Sequence, residues 1–193
     1  MLKFKNNSDE YIFTKTIDDE DMNTRIVTRI DSIGDEINHK SNLKHDTTSG
    51  YLHIYPEFRK LADIIESFAK ECSLKRNHDH PNHKHRPDQP RWNESYIKNQ
   101  SVDVMWGAVA RSGQIAVPHD HWPAVWAYCY YIDPPEGCSG LHFTDMNYEL
   151  PIENGLLVLF GGNLIHHTES LPFEGDRYCV SGTVVSNPPR TLS

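Results

Sequence analysis

The run from Val117 to Ile132, Val-Pro-His-Asp-His-Trp-Pro-Ala-Val-Trp-Ala-Tyr-Cys-Tyr-Tyr-Ile, limits most strongly what this chain can fold into. Its second half is aromatic and β-favouring, and a strand turns residues two apart to the same face. His119 and His121 therefore offer two imidazoles to one point, which is half of a metal site. The other half lies in 155–167, Gly-Leu-Leu-Val-Leu-Phe-Gly-Gly-Asn-Leu-Ile-His-His, where an apolar strand ends in a Gly-Gly turn and delivers His166. Three imidazoles from two separate strands make a constellation.

The 193 residues suit one domain with a sizeable core. A formal net charge of −8 argues against a nucleic-acid partner, because no broad basic surface is available for phosphates. The longest apolar runs, such as Leu156 to Phe160, fall far below the roughly 20 residues of a membrane span. The start, Met-Leu-Lys-Phe-Lys-Asn-Asn, is too polar for a signal peptide, so a cytoplasmic protein without a membrane partner is expected. Cys72, Cys129, Cys138 and Cys179 form no C-x-x-C pair and no zinc-finger spacing, and read as free thiols in a reducing compartment.

Along the chain, Tyr11 to Phe13 is a candidate strand. Met22, Ile26, Ile30 and Ile33 recur at helical spacing behind an acidic first turn, which predicts a helix over about 19–33 ending near Gly34. A second helix is expected from Pro56 to Ser73, with Phe58, Leu61, Ile64, Ile65, Phe68 and Cys72 on one stripe. Residues 39–50 read as loop. The stretch 77–91 carries His78, His80, His83 and His85 among Pro, Asn and Lys, without strand periodicity. It reads as a surface loop, a candidate lid, dispensable for metal. From Ser101 onward short β runs alternate with turn signals: Val102–Val109, Gln114–Val117, Ala124–Ile132, Leu141–Thr144, Leu156–Phe160, Leu164–Thr168 and Tyr178–Val185. The expected class is mainly β with flanking helices. Residues 1–100 would form an N-terminal helical support with the His-rich loop, packed on a β core of 101–187 within one structural domain.

At this point the motifs resemble a family. His-Asp-His-Trp-Pro, the Tyr130-Tyr131 pair, Gly140-Leu-His-Phe-Thr-Asp145, Pro151 with Gly155-Leu-Leu-Val-Leu-Phe160, His166, and Arg177 eleven residues beyond His166 resemble the Fe(II)/2-oxoglutarate-dependent oxygenases. The match is to a short branch common in phages of marine bacteria, in which H-x-H replaces the usual H-x-D. It covers about 100–187 well and the segment from Ser41 to the second helix more weakly. The resemblance implies a double-stranded β-helix (jelly roll, cupin-like) with Fe(II) at its mouth and O2 as co-substrate. It implies that Arg177 pairs with the far carboxylate of 2-oxoglutarate, which a planar guanidinium suits, with Tyr131 sharing that carboxylate. The expected activity is dioxygenase hydroxylation of a C–H bond with decarboxylation of 2-oxoglutarate to succinate. A small molecule or a peptide would be the substrate, in a host cytoplasm if the chain is phage-encoded.

Two positions depart from the family pattern. Cys179 stands where a serine usually helps the arginine, leaving Ser181 as the nearest hydroxyl. His121 stands where the aspartate of a two-histidine, one-carboxylate face belongs. The reading taken here is a His119, His121, His166 face, with Asp145 either a fourth contact or an orienting partner. A His119, Asp145, His166 face is the alternative, since Leu141-x-Phe143-x-Asp145 alternates in strand fashion. Asp120 is expected to point away. His142 and His167 singly read as hydrogen-bonded surface or core residues, and Trp122, Trp126 and Tyr128 as barrel packing. The rival function is a non-catalytic or regulatory cupin-like metal-binding module, which would have no need of an inward Arg177. A third is an isomerase or dioxygenase on the same barrel that uses no 2-oxoglutarate.

Overall fold

The computed structural model describes residues 3–5, 11–33, 46–79 and 93–187. Strands β1 (Lys3–Lys5) and β2 (Tyr11–Thr16) precede helix α1 (Glu20–Ile33), strand β3 (Asp46–Thr47), helix α2 (Pro56–Asp79) and helix α3 (Glu94–Lys98). Then come β4 (Gln100–Ala110), β5 (Trp126–Ile132), β6 (Leu141–Phe143), β7 (Tyr148–Leu150), β8 (Leu156–Gly161), β9 (His166–His167) and β10 (Arg177–Ser186). Seven strands form one sheet in the order β1-β2-β8-β5-β10-β4-β3, and three form a second, β7-β6-β9. All pairings between these strands are antiparallel. This is the mainly β, jelly-roll architecture, with helices on one face.

Strand alternation assigns the two faces of the large sheet. On β5, Trp126, Tyr128, Tyr130 and Ile132 pack with Phe13, Leu157, Leu159, Met22, Ile26, Phe58, Leu61, Ile65 and Phe68, so one face is covered by α1 and α2. The intervening Ala127, Cys129 and Tyr131 belong with Val158, Phe160, Leu141, Phe143 and Leu164, between the two sheets. The polar tips of the covered β5 aromatics are satisfied. Tyr130 donates to Asn23 Oδ1 at 2.6 Å, and Trp126 Nε1 donates to Ser73 Oγ at 3.0 Å. Each fully buried Leu, Ile or Phe contributes about 1.5–3 kcal/mol. The surface pair Arg59–Asp63, 3.2 Å apart with both side chains 59% exposed, adds a few tenths at most. The apolar stripe therefore seats α2.

Helix α1 starts where the acidic turn predicts, because Asp19 Oδ1 accepts the Met22 N–H at 3.0 Å and caps the first turn. Helix α2 runs past Ser73 to Asp79. Leu74, Lys75 and Arg76 are good helix formers, and no Gly or Pro intervenes before Pro81, so nothing in the sequence ends the helix at Ser73. His78 thus belongs to α2, while His80, His83 and His85 lie outside the described residues, as do Gly34 and 39–45 of the expected loop.

Three further differences have local causes. Residues 114–117 form no strand of their own, since Pro118 lacks an N–H, and they meet β9's continuation through Thr168 N–H to Ala116 O at 3.1 Å. Strand β7 was hidden by its brevity between Asn147, in left-handed conformation at φ 45°, and Pro151. The candidate strand at Tyr11–Phe13 forms, but the N-terminal part supplies more than that, because β2 runs on to Thr16, pairs with β8 and carries β1 on its outer side. Gly155 makes that junction: its φ is 74°, Ile17 N–H donates to its carbonyl at 2.8 Å, and any Cβ there would run into Ile17 O.

Candidate metal centre

His119 and His166 are joined by their own backbone. Each N–H donates to the other's carbonyl, at 3.1 and 3.0 Å, in an antiparallel bridge. Directly opposed residues send their side chains to one face, so the two rings lie 4.4 Å apart between centroids. His121 N–H donates to Gly162 O at 2.7 Å, and Gly162 lies so close to the Ala124 carbonyl that a side chain would collide with it. The Gly-Gly turn thereby holds the H-x-H segment against the start of β9. The His121 ring is 5.0 Å from that of His119 and 5.1 Å from that of His166. One donor atom from each of the three lies within 4.8 Å of the other two.

The protonation pattern suits a metal. His119 Nδ1 is 2.7 Å from Val117 O, and His166 Nδ1 is 2.9 Å from Leu164 O. A carbonyl only accepts, so Nδ1 carries a hydrogen on both rings and Nε2 is the ring atom left to face a metal. Burial, and then the neighbouring His119, lowers the pKa of His121 to about 4 and that of His166 to about 3. Both imidazoles are neutral at pH 7, and no proton has to leave before a cation binds.

Asp145 is not brought to the triad. The chain leaves β6 after Phe143 and enters a 3-10 turn at Thr144, so the alternation expected to carry the Asp145 carboxylate inward stops two residues early. Asp145 is exposed, and the group that converges is His119, His121 and His166. Asp120 points away as expected: it is exposed, and its Oδ1 accepts the Trp122 N–H at 3.3 Å. Trp126 and Tyr128 pack in the core, whereas Trp122 is 66% exposed, a correction to the packing role expected for it.

Arg177 sits in the same cavity as the three histidines, together with Tyr131, Trp106, Thr168 and Cys179. It is 5% exposed. Nη1 donates to Ser139 O at 3.1 Å and Nη2 to Thr168 Oγ1 at 3.4 Å, while Nε has no partner among the described residues. The adjacent Asp176 is held by Arg111 at 2.9 Å, so Arg177 is a buried cation with no carboxylate beside it among the described residues. A charge desolvated in this way calls for an anion. Trp106 Nε1 is a second buried donor without a partner among the described residues. Tyr131 lines the cavity, and burial raises its pKa well above the usual value, so its O–H stays protonated. Ser181, the expected substitute for the missing serine, shares its Oγ with the thiols: 3.2 Å to Cys179 and 3.5 Å to Cys129. Trp106, Ser139 and Thr168 were not singled out in the sequence. Thr168 carried a signal, being two residues beyond His166, whereas Ser139 acts through its carbonyl, which any residue has.

No family model matches the sequence, and no curated protein matches it. The fold is nonetheless that of known enzymes. A viral collagen prolyl hydroxylase from Paramecium bursaria Chlorella virus-1, solved as a 2OG complex, matches 91% of this chain and 97% of its own at a TM-score of 0.60 and 12% identity. A Pseudomonas putida prolyl-4-hydroxylase matches 91% of this chain and 92% of its own at 0.61 and 11%. A Trichoplax adhaerens prolyl hydroxylase, in complex with a peptide fragment of the hypoxia inducible factor oxygen degradation domain, matches 97% and 88% at 0.55 and 13%. The chain shares the architecture of these hydroxylases.

Proposed function

We propose that the protein is an Fe(II)- and 2-oxoglutarate-dependent oxygenase that hydroxylates a C–H bond of a small molecule or a peptide. The observation that carries this reading is the pairing, in one cavity, of a triple-imidazole face with a buried Arg177 that has no carboxylate beside it among the described residues. The donor set fits the groups. Three imidazole donors would hold Fe(II) and leave positions for further ligands, and a guanidinium whose Nε has no partner among the described residues suits a carboxylate. Bound iron with 2-oxoglutarate and O2 supplies the oxidation of a C–H bond to an alcohol, coupled to conversion of 2-oxoglutarate into succinate and CO2.

The chain's own residues do the rest. His119 and His166 are presented in one tautomer by Val117 O and Leu164 O. Arg177, fixed by Ser139 and Thr168, binds the distal carboxylate of 2-oxoglutarate, with the Tyr131 hydroxyl as a further donor. Phe160, stacked edge-on to His166 at 4.6 Å, and Phe143 keep water from the rear of the site. The same architecture in prolyl hydroxylases, one of them holding a peptide fragment, supports an extended peptide as one substrate class.

The rival, a cupin-like module that only stores or senses metal, has no use for the inward arginine. The deciding experiment titrates 2-oxoglutarate anaerobically into the Fe(II)-loaded protein, then follows aerobic succinate formation with ascorbate present. We expect binding and slow turnover even without the second substrate. Arg177→Lys keeps the charge but removes the fork, and should weaken 2-oxoglutarate about 100-fold with Fe(II) affinity retained. Unchanged 2-oxoglutarate binding in Arg177→Ala would return the protein to the rival class.

A further inference from the structure

A second histidine cluster lies on the three-stranded sheet. Register aligns Glu149, His142 and His167 in one row across β7, β6 and β9, and Glu169 follows His167 by two residues. The His142 and His167 rings stack at 5.0 Å with 24° between their planes. One donor atom from each of His142, His167 and Glu169 lies within 4.8 Å of the other two. A neighbouring side chain already orients one of the two rings. Thr144 Oγ1 is 3.1 Å from His167 Nδ1, which leaves His167 Nε2 open. Glu149 Oε1, held by the Gly140 N–H at 3.1 Å, stands 3.5 Å from His142 Nε2. That is too long for a hydrogen bond, and His142 Nε2 is buried with no hydrogen-bond partner among the described residues. A buried imidazole nitrogen left unpaired beside a second imidazole and two carboxylates is costly as it stands and accounted for by a cation.

We propose that His142, His167 and Glu169 form a second metal site, separate from the triad and selective for a zinc-class divalent ion. Two imidazoles and one carboxylate are a donor set that zinc takes with a fourth position open to water. Ligands about 2.0–2.2 Å from zinc stand roughly 3.4 Å apart in a tetrahedron, and the exposed, flexible Glu169 closes the remaining distance. His167 also borders the cavity that holds the triad, so an ion bound here stiffens one wall of that cavity. The proposal stands on this cluster alone and is independent of whether the triad carries iron.

The test is Zn(II) titration of the chelator-stripped full chain against a chromophoric competitor. The His119→Ala/His166→Ala variant should retain one tight equivalent assigned to the second site, and adding His142→Gln/His167→Gln should abolish it. Glu169→Gln in the same background alters only an exposed, isosteric side chain, so the fold is kept, and it should weaken that equivalent at least tenfold. Co(II) in place of zinc should give the intense visible absorption of a tetrahedral site, lost in the same variants. The proposal is overturned if no equivalent remains in the triad-deleted protein, or if the remaining equivalent is unaffected by Glu169→Gln or survives loss of both His142 and His167, which would assign it to other histidines of the chain.

Discussion

His166 and His167 are consecutive in the chain, yet they serve two unlike clusters. His166, buried at 4% exposure, pairs across β6 with Phe143 and converges with His119 and His121. His167 pairs with His142 and is half-buried. In the inner cluster the Nδ1 hydrogens of His119 and His166 go to main-chain carbonyls, so their ring orientations are set by the course of the backbone. In the outer cluster the hydrogen-bond partner is a side chain, Thr144, which rotates, and His142 Nε2 has none among the described residues. The inner site is therefore preorganised and the outer one adjustable, which predicts that the first binds its metal more tightly than the second binds zinc.

The comparison breaks first at the inner ligand set. Anaerobic Fe(II) titration should show at least a 100-fold loss of affinity in His121→Ala and less than a twofold change in Asp145→Ala. Near-normal affinity in the first with loss in the second would put the exposed carboxylate in the site and end the triple-imidazole assignment.

Acid should separate the clusters next. The folded-state pKa values of His121 and His166, about 4 and about 3, lie below the ordinary 6.5 of histidine. Between these limits the unfolded chain binds protons that the folded one does not, so the stability of the metal-free protein is full above about pH 6.5 and falls as pH is lowered toward 4. Each ring contributes a slope of up to about 1.4 kcal/mol per pH unit in that window. Thermal unfolding of the metal-free protein at pH 7 and pH 5 should show a lower Tm at pH 5, with a smaller drop in His166→Gln. An equal drop in both proteins would mean that carboxylates, not the buried rings, govern the acid limb.

The smallest effect concerns the outer cluster's orientation. Thr144→Val removes the hydroxyl beside His167 Nδ1 without changing bulk, and zinc affinity there should fall about tenfold while Fe(II) at the triad stays unchanged. A loss at both sites would show that β9 transmits the change and that the clusters are not independent.

Much of the inner site was legible because it is written in local periodicity. H-x-H needs only strand geometry to put two rings on one face, and an apolar run ending in Gly-Gly announces a strand end. What could not be read was Asp145, because the 3-10 turn at Thr144 interrupts an alternation that looks unbroken in letters. The outer row of Glu149, His142 and His167 was hidden for a different reason. It spans β7, β6 and β9, which are two or three residues long, and their register is decided by partners rather than by their own composition.

The sequence by itself determined the β-rich core, the two amphipathic helices that cover it, the imidazole pair at 119 and 121 and the later histidine at 166, since each follows from residue type and spacing within about twenty residues. Only the tertiary structure decided that Arg177 is buried with no carboxylate beside it among the described residues, that Trp106 lines the same cavity with its Nε1 unpartnered among them, and that two adjacent histidines lead to separate clusters. Those facts depend on which strands become neighbours. Pairing β10 between β5 and β4 brings Arg177 to the histidines across the sheet, and burial, charge balance and metal geometry are properties of the assembled neighbours rather than of any one segment.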